Sequence, residues 1–163
     1  MKKILLIVAL SLSFLLSFGC TNAEKPKQKT LDAEFGFSQE DFTVVEEYDT
    51  QAWMGDGRYY LTLDCSNNVD KANEVVKDWQ KLPFTEDIKL IMYGDVQHGS
   101  FYERKDSNTK FPEIENGSYM VVNRHNGGEA EQVDDLPYMS SNNFTIAVYD
   151  SDTNKMYYFE YDS

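Results

Sequence analysis

The 163-residue chain carries a formal net charge of −13, from 28 acidic against 15 basic side chains. It lacks the basic footprint that a phosphate backbone requires, which excludes nucleic acid as a partner. Cysteine occurs only at Cys20 and Cys65, so the fold is not a disulfide framework. Aromatic residues reach 14%, including eleven Tyr and ten Phe, and point to a β-rich fold, because such side chains suit a pleated, half-buried surface.

The chain opens with an address. Lys2 and Lys3 precede a largely apolar run from Ile4 to Phe18, and Ser17-Phe18-Gly19-Cys20 leads into polar sequence at Thr21. A positive start, an apolar stretch and small residues at the cut describe an export signal. The run is also shorter than the roughly 20 residues a spanning helix needs. Ser17-Phe18-Gly19-Cys20 resembles the lipobox of bacterial lipoproteins, in which the cysteine thiol receives a diacylglyceryl group and becomes the new N-terminus. The resemblance implies cleavage after Gly19 (signal peptide 1–19), lipidation of Cys20 with acyl chains such as palmitate, and anchoring at the extracytoplasmic face of the cell membrane. Two or more acyl chains hold a protein durably where one does not, since each buried methylene contributes about 0.8 kcal/mol.

A polar segment follows. Thr21 to Thr30 has no large apolar residue and contains Pro26, so it is expected to be a flexible tether, with residues 20–34 outside the globular unit and a single domain over 35–163. Ser38-Gln39-Glu40-Asp41 has the spacing of a small helical cap before a strand from Phe42 to Tyr48. Gly55-Asp56-Gly57 marks a tight loop, after which Tyr59, Leu61 and Leu63 alternate onto one face of a second strand.

A helix is expected next. Asn67 or Asn68 caps it, Asp70 sits in its first turn, and Ala72, Val75, Val76 and Trp79 share one side, with Pro83 forbidding continuation. Ile88 to Tyr93 reads as a strand closed by Gly94. A polar excursion then runs from Asp95 to Asn116 with Phe101, Tyr102 and Phe111 as its large anchors, long enough to be the first place to look for a site. Ser118 to His125 forms a strand, a loose acidic stretch covers 126–135, and the chain finishes with a hairpin. Its arms are Phe144 to Tyr149 and Met156 to Tyr161, joined by a turn over Asp150 to Lys155. The whole is an α+β domain of five to six mostly antiparallel strands with one helix packed on one face of the sheet.

The segments Leu82-Pro83-Phe84-Thr85-Glu86, Glu115-Asn116-Gly117-Ser118-Tyr119 with Asn123-Arg124-His125, and Asn143 to Tyr158 resemble a family of small uncharacterised exported proteins and lipoproteins of Gram-positive bacteria. The likeness spans most of 35–163 and implies export rather than an activity. In that family the loop matching Met54-Gly55-Asp56-Gly57 carries His where Met54 stands here, so this loop lacks an imidazole for a metal.

Few residues suggest chemistry. Asp150, Asp152 and Asn154 match the opening of a calcium loop, yet Lys155 stands where that loop needs Gly and Glu160 falls short of the distal carboxylate, so these are weak metal candidates and turn formers in the ordinary reading. His98 and His125 lack the close ligand spacing of zinc sites. A Cys65 dyad with either histidine has no signature around it, and Cys65 reads as a small residue at a strand end. For a binding role the candidates are His125, Arg124 and His98. Tyr59, Tyr60, Tyr157, Tyr158 and Tyr161 lie on strands whose alternate members face opposite sides, so some are expected to leave the core and offer area for recognition. No phosphate loop or nucleophile elbow is present, and no cofactor is expected. These features favour a non-enzymatic extracytoplasmic module that binds a protein, peptide or glycan, the alternative being a small cell-envelope hydrolase, possibly metal-dependent, built on His125 and nearby acids.

Overall fold

The computed structural model describes residues 26–51, 56–94, 100–102, 110–124 and 143–163. The first element among the described residues is a helix, α1 (Pro26–Phe35), in part of the segment expected to be tether. Pro suits a first helical position, where its missing N–H would have had no partner. Gly36, at φ 72°, ends the helix in the left-handed conformation favoured just past a helix C-terminus. Leu31 and Phe35, four residues apart and therefore on one side of a helix, are 1% and 4% exposed. The described fold thus begins upstream of Phe35. Composition hides this, because two apolar residues in a polar stretch are enough when both lie on the same stripe.

A one-turn 3-10 helix, Gln39–Asp41, follows, and Ser38 caps it as expected. The Ser38 hydroxyl accepts from the Glu40 N–H at 3.2 Å, and the Asp41 carboxylate accepts from the Ser38 N–H at 2.8 Å. β1 (Thr43–Asp49) and β2 (Gly57–Asp64) then pair antiparallel, with a bulge between Val44 and Glu46. Helix α2 (Val69–Val76) carries Asp70 in its first turn, but the Asn68 side chain does not cap it. Instead its amide donates to the Asp41 carbonyl at 3.4 Å. The helix stops three residues short of Trp79, which is nonetheless buried and donates its backbone N–H to the Val76 carbonyl at 3.1 Å.

The short β3 (Gln80–Lys81) comes next, and then helix α3 (Glu86–Tyr93) in place of the strand expected over Ile88 to Tyr93. The local chemistry accounts for the correction. Thr85 accepts from the Ile88 N–H, Glu86 and Asp87 favour the first turn, and Gly94, at φ 71°, donates its N–H to the Leu90 carbonyl at 2.8 Å. Ile88, Ile91 and Met92 recur at helical, not strand, spacing and are all buried. β4 (Gly117–Asn123), β5 (Asn143–Asp150) and β6 (Lys155–Asp162) complete the sheet.

The six strands form one antiparallel sheet in the order β1-β2-β6-β5-β4-β3. Three α-helices accompany it among the described residues, where one was expected. The strand alternation sorts side chains into two buried clusters. Tyr59, Leu61 and Leu63 of β2 join Val122, Ala147, Tyr149, Met156 and Tyr158 with Leu31, Phe35, Ala72, Val76 and Trp79. Tyr60 joins Val121, Phe144, Ile146, Val148 and Phe159 with Ile88, Ile91 and Met92. Tyr102 and Phe111, the anchors of the polar excursion, belong to this second cluster. The central strands β2, β6, β5 and β4 are therefore buried on both faces, while the outer β1 and β3 are exposed. Of the five strand tyrosines singled out in the sequence, Tyr59, Tyr60 and Tyr158 are at most 3% exposed and lie in the core, whereas Tyr157 and Tyr161 are half-buried and pack against it.

Candidate functional site

Most polar side chains along the sheet are at its margins, but the last strand carries two acids on its inward stripe. In Tyr158-Phe159-Glu160-Tyr161-Asp162 the even positions share a face with the buried Tyr158. Register sets Glu160 between Tyr59 and Thr145, and Asp162 between Gly57 and Asn143. Arg124 follows β4 directly and is held there by its backbone N–H, which donates to the Asn143 carbonyl at 2.7 Å.

From that position Arg124 reaches both acids. Nη1 donates to Glu160 Oε1 at 3.0 Å and Nη2 to Asp162 Oδ1 at 2.6 Å. Gln51, just past β1, donates through Nε2 to Glu160 Oε1 at 3.0 Å and to Asp162 Oδ2 at 2.8 Å. The Tyr158 hydroxyl donates to Glu160 Oε2 at 3.2 Å. Glu34 approaches from α1, and its Oε2 is buried without a hydrogen-bond partner among the described residues. The cluster so assembled holds three carboxyl groups around one guanidinium.

That imbalance appears in the acidities. Burial pushes the Asp162 carboxyl up to about 6; Arg124 pulls it down and Glu160 pushes it further up. Glu34 is also raised, first by burial and then by the charges of Glu160 and Asp162, against the pull of Arg124. Burial likewise raises the Tyr158 hydroxyl, so it remains a donor. The arrangement can take up and release a proton near pH 6.

Of the residues singled out in the sequence, Arg124 is in this cluster. His98, His125 and Cys20 lie outside the described residues. Asp150, Asp152 and Asn154 belong to the β5–β6 turn, where each has its own donor. Asp150 accepts from the Asp152 N–H at 2.9 Å and the Thr153 hydroxyl at 2.6 Å, Asp152 from the Asn116 amide at 2.9 Å, and Asn154, at φ 54°, from the Tyr149 hydroxyl at 2.9 Å. Among the described residues no three His, Cys, Asp or Glu side chains are grouped to hold a metal ion. Cys65 is fully buried, and burial together with the neighbouring Asp64 charge pushes its thiol up to about 12, so it is not a nucleophile at neutral pH.

Sequence reasoning missed Glu34, Gln51, Glu160 and Asp162. A usable signal was present for two of them: acids two residues apart on the buried stripe of a strand require a cation nearby. Glu34 and Gln51 left no such trace, because both reach the cluster from distant parts of the chain. No family model, curated protein or solved structure matches this chain.

Proposed function

We propose that this protein is a membrane-anchored bacterial lipoprotein whose α+β domain is a non-enzymatic binding module on the extracytoplasmic face of the cell membrane, taking a protein, peptide or glycan ligand. The observation that carries the anchor is the sequence Lys2-Lys3, the apolar run to Phe18, and Gly19-Cys20. Kinship with the small exported lipoproteins of Gram-positive bacteria rests on the segments quoted above. The chain between Cys20 and Pro26 spans at most about 20 Å when extended, so the domain stands close to the bilayer. The helices act as covers, α1 and α2 on one face of the sheet and α3 on the other, which leaves rims and loops as the recognition surface. The non-enzymatic reading is supported by the commitment of Arg124, Glu160 and Asp162 to one another.

The anchor is tested by Cys20→Ala. The variant is expected to lose acyl labelling and to appear in the medium; retention in the membrane fraction refutes the anchor.

One observation favours the second reading, a small cell-envelope hydrolase. Asp162, half-buried beside Glu160 with its carboxyl pushed up to about 6, has the acidity of a general acid. A hydrolytic activity on envelope glycans or peptides that disappears in Asp162→Asn, with the fold intact, decides for the enzyme.

A further inference from the structure

Glu34 sits between two anchors. Leu31 and Phe35 bury themselves on either side of it in the sequence, and the Phe35 ring stands edge-on to Tyr158 at 5.5 Å and to Trp79 at 5.9 Å. With α1 held this way, Glu34 is carried into the cluster at the end of β6. There it meets Glu160, Asp162 and the Tyr158 hydroxyl from β6, Arg124 from the end of β4, and the neutral Gln51 from the end of β1. Further along the same face, Glu47 of β1 accepts from the Tyr59 hydroxyl at 3.0 Å, adding another acid to this side. Arg58 is not among the charges that shift Glu34 or Asp162, and its guanidinium lies 5.4 Å from the centroid of the Tyr161 ring, which packs against the other cluster.

The arithmetic of charge is unfavourable to an ionised Glu34. The guanidinium already serves Glu160 and Asp162, and Glu34 Oε2 has neither solvent nor a hydrogen-bond partner among the described residues. A buried carboxylate without a partner is costly, and such a group either takes a proton or leaves. We propose that α1 is a proton-controlled strap, docked on the sheet while the Glu34–Asp162 cluster holds a proton and released when the cluster is fully ionised. Both acids are raised in the docked state, so docking is favoured at acid pH, weakens as pH rises towards about 6 and levels off above it.

Release also costs α1 its helical state. A ten-residue helix is marginal in water without tertiary contacts. Unravelled, it lengthens from about 15 Å to roughly 33 Å, which extends the reach of the domain from its N-terminal attachment. It also uncovers Phe37, Trp79 and Tyr158, an aromatic patch otherwise closed over by Phe35. The strap itself is the same whether or not Cys20 is acylated; only the added reach rests on the lipoprotein reading.

Hydrogen exchange of the full chain at about pH 5 and about pH 8, corrected for intrinsic exchange rates, is the test. Protection across 31–37 is expected to fall by about tenfold or more at the higher pH while β5 keeps its protection, one pKa unit of linkage corresponding to tenfold. In Glu34→Gln the fall is expected to vanish. Equal protection of 31–37 at both pH values, or an undiminished fall in Glu34→Gln, overturns the proposal. If Glu34→Gln also loses protection in β5, Asp162→Asn is read in its place: a reduced fall supports the strap and an undiminished one overturns it.

Discussion

Arg124 shows how one side chain can decide the state of several others. Its partners Glu160 and Asp162 are only 8% and 17% exposed, so removing the guanidinium strands two buried carboxylates. Arg124→Ala is expected to destabilise the fold by about 3–5 kcal/mol in urea denaturation, the usual cost of breaking a buried pair from one side. Adding Glu160→Gln and Asp162→Asn to that variant should recover part of the loss, because the stranded charges are then gone. Asp162 also sets a pH dependence with a definite sign. Its carboxyl holds a proton more tightly in the fold, at about 6, than its ordinary value of 3.8, so the folded state binds more protons between those limits. Stability should therefore fall as pH rises from about 4 to about 6 and then level off. Melting temperature against pH measures this, and Asp162→Asn should flatten the slope.

At the scale of elements, five of the six strands were legible, and two of the three helices were not. β2 was readable from the alternation of Tyr59, Leu61 and Leu63, and the closing hairpin from two aromatic arms around an Asx-rich turn. Ile88 to Tyr93 misled because a short apolar run satisfies both periods, and here Thr85 and Gly94, the cap residues at each end, decide for a helix. Close backbone approach matters at β4 as well. A Cβ on Gly117 would collide with the Tyr149 carbonyl of the paired strand, which is backbone and cannot swing away. Gly117→Ala is expected to cost at least about 2 kcal/mol, read from the denaturation midpoint, as overpacking against a rigid neighbour does. Gly57 meets a similar constraint with an added conformational one, at φ 141° and beneath the Thr50 carbonyl.

For the whole molecule, the four central strands are buried on both faces, and the outer strands are exposed. β1 is the outer strand, and Val44 and Val45 are 42% and 55% exposed along it. The bulge at Val45 and the carboxylates of Glu46, Glu47 and Asp49 blunt that edge against pairing with another chain. The opposite edge is the two-residue β3, too short to be a template. Where the folded unit begins is also a property of the whole. Leu31 is 1% exposed, so Leu31→Ala is expected to cost about 2–5 kcal/mol at about pH 5, whereas a residue in a solvated tether would cost almost nothing. Chemical denaturation distinguishes the two.

The sequence by itself determined the acidity of the chain, the antiparallel closing hairpin and the period-two strands, and it supplies the residues on which the proposed anchor rests, because each is written in composition or in neighbouring residues. Only the tertiary structure decided that the central strands are buried on both faces, that Leu31 and Phe35 of α1 join the core, and that Glu34, Gln51, Arg124, Glu160 and Asp162 meet. Those residues come from four separate stretches of chain, and the acidities of Glu34 and Asp162 depend on burial and on the distance to the neighbouring charges. Neither quantity exists until the chain has folded.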